Sequence, residues 1–249
     1  MMANNYRTLI APMAALTALV IAAPALADAL VVRSTGPSAA TYRVGTRLPD
    51  NGRVVLRAGD RVVLVAGGAT RTLNGPGNFP VRAGAVRSQG SASTLNRYLS
   101  TRGGTISRTG ATRGPEAPRA PNAWVLDVQR GGTLCVADPA SLNVWRPDYS
   151  RDALVTIESL TTPGLRANLV FATEQALRLW PIETLPVTEG ARYRLSGGGM
   201  TAPIEVQFTL SGPVPGDAAA AANLFADRGC IPQLEQLGER MAEEAAGAM

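Results

Sequence analysis

Residues 44–79, VGTRLPDNGRVVLRAGDRVVLVAGGATRTLNGPGNF, carry the clearest fold signal in this 249-residue chain. Short β-branched runs alternate there with four turn sequences, namely Asp50-Asn51-Gly52, Ala58-Gly59-Asp60, Gly67-Gly68 and Asn74-Gly75-Pro76-Gly77. Such closely spaced turns favour antiparallel strands joined by hairpins, because glycine and asparagine tolerate the positive φ of tight turns. The stretch therefore predicts a small β module, a sandwich or a barrel-like fold.

The N-terminus predicts export. Arg7 precedes an apolar run that ends in the small-residue pattern Ala25-Leu26-Ala27, which is typical of a cleaved secretory signal peptide over residues 1–27. The alternative is an uncleaved anchor, but two prolines interrupt a run shorter than a typical membrane span. We therefore expect a periplasmic protein with no membrane span after signal cleavage.

Composition excludes several kinds of chemistry. All 24 basic residues are arginines, so the chain contains neither lysine nor histidine. Nucleophiles that need histidine, histidine-rich metal sites, Schiff bases and the phosphate-loop lysine are therefore ruled out. No catalytic residue, cofactor or metal ligand is predicted, and the expectation is a protein that is not an enzyme.

Charge is distributed unevenly along the chain. Residues 28–122 hold fourteen arginines against four acidic residues, whereas residues 123–249 hold nine against fifteen. An exported protein does not routinely meet nucleic acid, so anionic glycan or lipid is the more plausible acidic partner for the basic half. A solvated basic surface is the alternative interpretation.

The rest of the chain divides into segments by composition. The first β module is predicted to span residues 28–88. Residues 89–122 combine a short helix with an Arg/Gly/Pro-rich linker. Seven or eight strand patterns in residues 123–212 predict an immunoglobulin-like β sandwich. Residues 213–249 predict a helical hairpin packed on that second module, with a partner-binding helix as the alternative.

Cys135 and Cys230 are the only cysteines. In an oxidising compartment an even pair usually forms a disulfide, and their spacing is not that of a redox-active CxxC motif. We therefore predict a structural disulfide that ties the second module to the helical hairpin.

Candidate binding residues are few. The linker arginines are spaced like a basic arm, and a tryptophan followed by arginine ends one predicted strand. Together they suggest a binding face, although a solvated linker and a core tryptophan would explain the same pattern. The face comprises Arg102, Arg108, Arg113, Arg119, Trp145 and Arg146.

Aspartates 60, 138, 148 and 152 fall in predicted turns, where aspartate commonly supports turn geometry. An Asp-based hydrolase would need two of these carboxylates to converge in a cleft. Nothing in their spacing predicts that convergence, so this alternative is ranked last.

The segments LRAGDRVVL (residues 56–64) and TRTLNGPG (residues 70–77) resemble the FecR-type periplasmic β domain. The resemblance covers about fifty residues and implies a periplasmic module that senses or relays signals through protein contacts. Residues 1–27 do not match the cytoplasmic anti-sigma segment of that family, so we do not expect direct transcriptional signalling. In the remainder, the segments PNAW (residues 121–124), GTLCV (residues 132–136) with Asp138, and LNVWRP (residues 142–147) resemble uncharacterised exported proteins of high-GC Gram-negative bacteria, a resemblance that implies no activity. The expected function is a non-enzymatic binding or signalling accessory with an envelope protein partner.

Overall fold

The computed structural model describes residues 28–82, 92–100, 119–213 and 215–247. The fold is mainly β, with several sheets and a pair of C-terminal helices. The predicted fold class is therefore confirmed, and no sheet among the described residues closes into a barrel. The predicted signal peptide and most of the linker lie outside the described residues.

The first module is a small two-sheet sandwich. Its strands are β1 (Ala29–Thr35), β2 (Arg47–Leu48), β3 (Arg53–Leu56), β4 (Arg61–Ala66), β5 (Ala69–Asn74) and β6 (Gly77–Pro80). One sheet has the order β2-β1-β4-β5 and the other pairs β3 with β6, all antiparallel. Gly67 and Gly68 form the two-residue β4–β5 turn with φ values of 55° and 77°. This conformation is the one predicted for that hairpin.

Strand β4 is buried on both faces. Val62 and Leu64 pack into the core between the two sheets, whereas Val63 and Val65 face the opposite side and are also buried. In a sandwich of only two sheets, the outer face of each strand is exposed to water. Because β4 is apolar and buried on both faces, a further layer must cover the outer face of its sheet.

The second module is a larger sandwich. Its strands are β7 (Leu126–Asp127), β8 (Gly132–Val136), β9 (Asn143–Trp145), β10 (Ala153–Ser159), β11 (Arg166–Phe171), β12 (Leu177–Leu179), β13 (Arg192–Gly197) and β14 (Ile204–Leu210). A five-stranded sheet has the order β11-β10-β13-β14-β8 and faces a three-stranded sheet of order β12-β9-β7. Trp180 lies 5.0 Å from the ring centres of both Tyr193 and Phe208 in the shared core.

Two strand pairs in this sandwich are parallel. β8 joins β14 at the edge of the large sheet, and β7 joins β9 in the small one. The Gly131-Gly132 turn therefore carries the chain from one sheet to the other.

Among the described residues, three α-helices complete the fold: α1 (Ala92–Leu99), α2 (Ala218–Asp227) and α3 (Ile231–Gly247). Asp217 caps α2, since its Oδ1 accepts the Ala220 N–H at 2.8 Å. Leu234, Leu237 and Met241 share the buried face of α3. No helix in the described part of the chain is long and apolar enough to cross a membrane.

The helical pair packs between the two modules, not on the second module alone as we expected. Its apolar face meets Leu30 and Val32 of β1, together with Val63 and Val65 of β4. Gly238 lies so close to β1 that an added Cβ would sit 2.1 Å from the Val32 carbonyl oxygen. The helices are thus the layer that covers the outer face of the first module.

The same helix α3 is joined to the second module. Cys135 of β8 and Cys230, which precedes α3, lie at disulfide distance, with Sγ atoms 1.97 Å apart. The buried Gln233 amide accepts the Cys135 N–H at 2.6 Å and donates to the Ala123 and Cys135 carbonyls at 2.7 and 3.0 Å. Every polar atom of this side chain is therefore paired, and α3 is fixed to both modules.

Candidate binding sites

The structure separates the residues of the predicted binding face. Arg102, Arg108 and Arg113 lie outside the described residues. Arg119 and Trp145 both line a cavity at the junction of α1, the second module and α3, which we call the junction cavity. Arg146 lies elsewhere, inside the second module, so the six residues do not form the single exposed face that we predicted.

Arg146 is buried, with only 1% of its surface exposed, and has a structural role. Its guanidinium donates hydrogen bonds to the carbonyls of Gln175, Arg151 and Ala172 at 2.6–3.1 Å. Its Cζ also lies 5.2 Å from the ring centre of Phe171. Arg146 therefore holds together the loops at one end of the sandwich. Our prediction that it belongs to an exposed binding face is wrong, because the side chain is buried and bonded within the protein.

The junction cavity has a volume of about 260 Å³ and is formed by three parts of the fold. Tyr98 comes from α1 and Asp127 from the end of β7. Arg130 lies in the turn between β7 and β8, and Gln236 and Arg240 come from α3. The cavity therefore depends on α3 holding these segments together. The remaining lining residues are Arg119, Ala120, Gln129, Trp145 and Glu239.

Acidic residues surround Arg130 on one side of the cavity. Its guanidinium nitrogens lie 3.5 Å from Asp127, 3.6 Å from Glu235 and 3.4 Å from Glu239. Burial raises the pKa of Asp127, while the Gln129 N–H and the Arg130 charge act in the opposite direction. The positive charge of Arg130 is therefore balanced by carboxylates of the protein itself.

A buried hydrogen-bond chain connects α1 to the same carboxylate. The Tyr98 hydroxyl donates to Gln236 Oε1 at 3.2 Å, and Gln236 Nε2 donates to Asp127 Oδ2 at 3.3 Å. Burial raises the pKa of Tyr98 well above its usual value, so the phenol stays protonated at neutral pH. These hydrogen bonds hold α1, α3 and β7 together at the cavity wall. They do not include a nucleophile paired with a general base.

Arg240 has a different environment. Its Cζ lies 5.2 Å from the Tyr98 ring centre, and its Nη2 donates to the Ala120 carbonyl at 3.1 Å. Arg119 pairs with Glu243 at the cavity rim. Trp145, which is 4% exposed, forms part of the cavity wall and packs with Ala120 in a small apolar cluster.

The turn aspartates act locally. Hydrogen bonds from Ser150 lower the pKa of Asp148, and hydrogen bonds from Thr173 lower that of Asp152. Asp138 accepts the Ala140 N–H at 3.0 Å. Within the described residues, no group of three acidic or cysteine side chains is arranged to hold a metal ion.

Strand β11 forms an open edge of the large sheet. It pairs with β10 over six residues in continuous register, and no described strand pairs with its other side. Leu154 and Val170 lie directly opposite each other on the outer face and are 49% and 60% exposed. Tyr149, also exposed, lies at the same end, since its carbonyl accepts the Glu174 N–H from the turn that follows β11.

A second exposed surface lies on β3 of the first module. Arg53, Val55 and Arg57 are exposed at alternate positions, and Val55 is 57% exposed. Residues 28–82 hold eight arginines against three aspartates. This surface is consequently basic with an apolar centre.

Sequence reasoning found Arg119 and Trp145 but not Tyr98, Arg130 and Arg240, which come from three separated segments. Comparisons with protein-family models, with curated proteins and with solved structures return no match. The geometry described above is therefore the basis for the functional argument.

Proposed function

We propose that the protein is a non-enzymatic periplasmic accessory that binds an extended segment of an envelope protein along β11. The observation that carries this proposal is the open edge of β11 with the exposed Leu154–Val170 pair beside it. Main-chain hydrogen bonds to such an edge supply affinity, and alternate side chains supply specificity. The FecR-type resemblance agrees with action through protein contacts and stays a prediction.

The edge lacks most of the features that prevent strand addition. Natural edge strands are commonly protected by proline, by a bulge or by charges. β11 contains no proline, its pairing with β10 has no bulge, and Arg166 is its only charged residue. An unprotected edge that persists in an exported protein supports a role in recruiting a partner strand.

Site-specific photo-crosslinking in the native host tests the proposal. A photoreactive residue at Val170 is compared with one at Gln207, which is exposed on the same sheet but on the inner strand β14. We expect one discrete adduct from position 170 that is absent from position 207. Asn168→Pro removes a backbone donor of the edge strand and should abolish the partner complex.

Identical adducts at both positions, or none at either, would contradict the proposal. A complex that survives both Asn168→Pro and Val170→Lys in folded protein would also exclude strand addition. Recovery of the adduct from envelope extract identifies the protein that was crosslinked at position 170 and is not itself a test of the proposal.

Anionic glycan or lipid binding is the second candidate function, favoured by the exposed Arg53 and Val55 of β3 and the exposed Arg57 that follows the strand. Attraction between exposed charges weakens as salt shortens the Debye length. Retention on dextran sulfate or on phosphatidylglycerol vesicles should therefore be lost at moderate salt. The Arg53→Gln/Arg57→Gln variant should lose that retention, whereas Arg47→Gln, which removes an arginine paired with Asp227, should keep it. Salt-insensitive retention would count against this candidate.

A further inference from the structure

The junction cavity contains one cationic group that the protein does not neutralise by direct contact. Arg130 lies near three carboxylates and Arg119 pairs with Glu243. Within the part of the chain that the structure describes, Arg240 has no carboxylate oxygen within 4.0 Å. Glu244, one helical turn further along α3, interacts with the Arg240 charge from beyond ion-pair distance, so the guanidinium donors are still available to a ligand in the cavity.

Arg240 is also held in place before any ligand arrives. The Tyr98 ring supports the guanidinium, and the Ala120 carbonyl accepts one of its five N–H donors. No other described acceptor takes the remaining donors. A planar guanidinium with free donors matches the two oxygens of a carboxylate or phosphate.

The carboxylates that line the cavity favour a carboxylate ligand over a phosphate. Asp127 and Glu239 line the same cavity beside Arg130, so a ligand that carries two negative charges would face repulsion from nearby carboxylates. A monoanion gains the interaction with Arg240 at a smaller repulsive cost. The geometry thus favours a carboxylate over a phosphate dianion.

Size and surface chemistry limit the rest of the ligand. The volume of about 260 Å³ lies near the lower end of small-molecule sites. Trp145 and Tyr98 supply aromatic surface next to the polar groups. We propose that the junction cavity binds a small monocarboxylate with a ring or short apolar body, anchored by Arg240. The proposal is independent of strand addition at β11.

Isothermal titration with benzoate at neutral pH and low salt tests this site in the full exported chain. We expect Arg240→Gln to bind benzoate about tenfold or more weakly, the loss expected for a charge-assisted bidentate contact. The matched control is Arg194→Gln, which removes an exposed arginine paired with Glu205 on the large sheet of the second module. Its benzoate affinity should equal that of the unmodified protein.

A second variant keeps the test informative if Arg240→Gln does not fold. Glu239→Gln removes one negative charge from the cavity and should tighten benzoate binding. Inorganic phosphate and acetate serve as comparison ligands and should bind more weakly than benzoate. Phosphate binding at least as tight as benzoate, equal benzoate binding by Arg240→Gln and Arg194→Gln, or the absence of benzoate binding would each overturn the proposal.

Discussion

Gly238→Ala tests how closely α3 packs against the first module. The new Cβ would lie 2.1 Å from the Val32 carbonyl oxygen and 2.7 Å from its carbon, distances that real Cβ contacts essentially never show. Because the obstacle is backbone, β1 and α3 must move apart, and both contribute to the same apolar core. A rotamer change cannot relieve this overlap.

Two opposing effects set the magnitude of this change. Replacing glycine by alanine inside a helix contributes about 1 kcal/mol of helix propensity. Overpacking a buried site typically costs about 1–3 kcal/mol, and a clash with backbone belongs at or above the upper end. We therefore expect the free energy of unfolding to fall by about 2 kcal/mol, since the steric cost exceeds the propensity gain.

Urea unfolding followed by circular dichroism measures this difference under oxidising conditions. Gly216→Ala is the control, because its added Cβ meets no atom within 4 Å and its φ is not positive. That control should change stability by less than about 0.5 kcal/mol. A Gly238→Ala protein as stable as the unmodified one, or more stable, would refute the close contact between α3 and β1.

Four further predictions concern the groups that hold the fold together. Gln233→Leu should lower the free energy of unfolding by about 3 kcal/mol in urea titrations, because buried backbone groups lose their partner. Cys135→Ala/Cys230→Ala should cost about 4 kcal/mol by the same measurement, since the cysteines are 95 residues apart; an unchanged midpoint would argue against the disulfide. Arg146→Met should cost about 3 kcal/mol and leave benzoate binding intact, as expected of a residue that bonds loop carbonyls outside the cavity. Hydrogen bonds hold the pKa of Asp60 below its usual value despite burial, so its contribution should be complete above about pH 5 and decline as the pH falls through the lowered pKa. An Asp60→Asn protein should lack that part of the decline in pH-dependent unfolding curves.

The strands and turns were largely predictable because their signals are local. The Gly67-Gly68 turn, the Asp217 cap and the apolar stripe of α3 each depend on residues within a few positions of one another. Patterns of this kind express φ preferences and side-chain periodicity, which do not require knowledge of the rest of the fold.

Placement of the helices was not predictable from their own stripe. An amphipathic helix shows that one face is buried but not which surface covers it. The informative signal was in β4, where Val62–Val65 is apolar at every position and is buried on both faces. Such a run is a sequence signal for a further layer on the first module, and the structure shows that this layer is α2 and α3.

The environments of Arg146 and Arg240 could not be predicted from the sequence. Arginine usually lies at the surface, so sequence reasoning placed Arg146 on an exposed face. Its burial depends on three loop carbonyls from residues 151–175, which sequence cannot bring together. Arg240 was missed for the same reason, because its neighbours Tyr98 and Ala120 are more than a hundred residues away in the chain.

Hydrogen exchange measured by mass spectrometry in increasing urea tests the central claim that α3 joins both β modules into one body. Peptides from β4, from β13 and from α3 should lose protection together in one cooperative transition. Loss of protection in β4 at low urea, while α3 and β13 remain protected, would show that the first module folds separately. No described residue of the first module lines the junction cavity, so that result would leave the proposed carboxylate site unaffected.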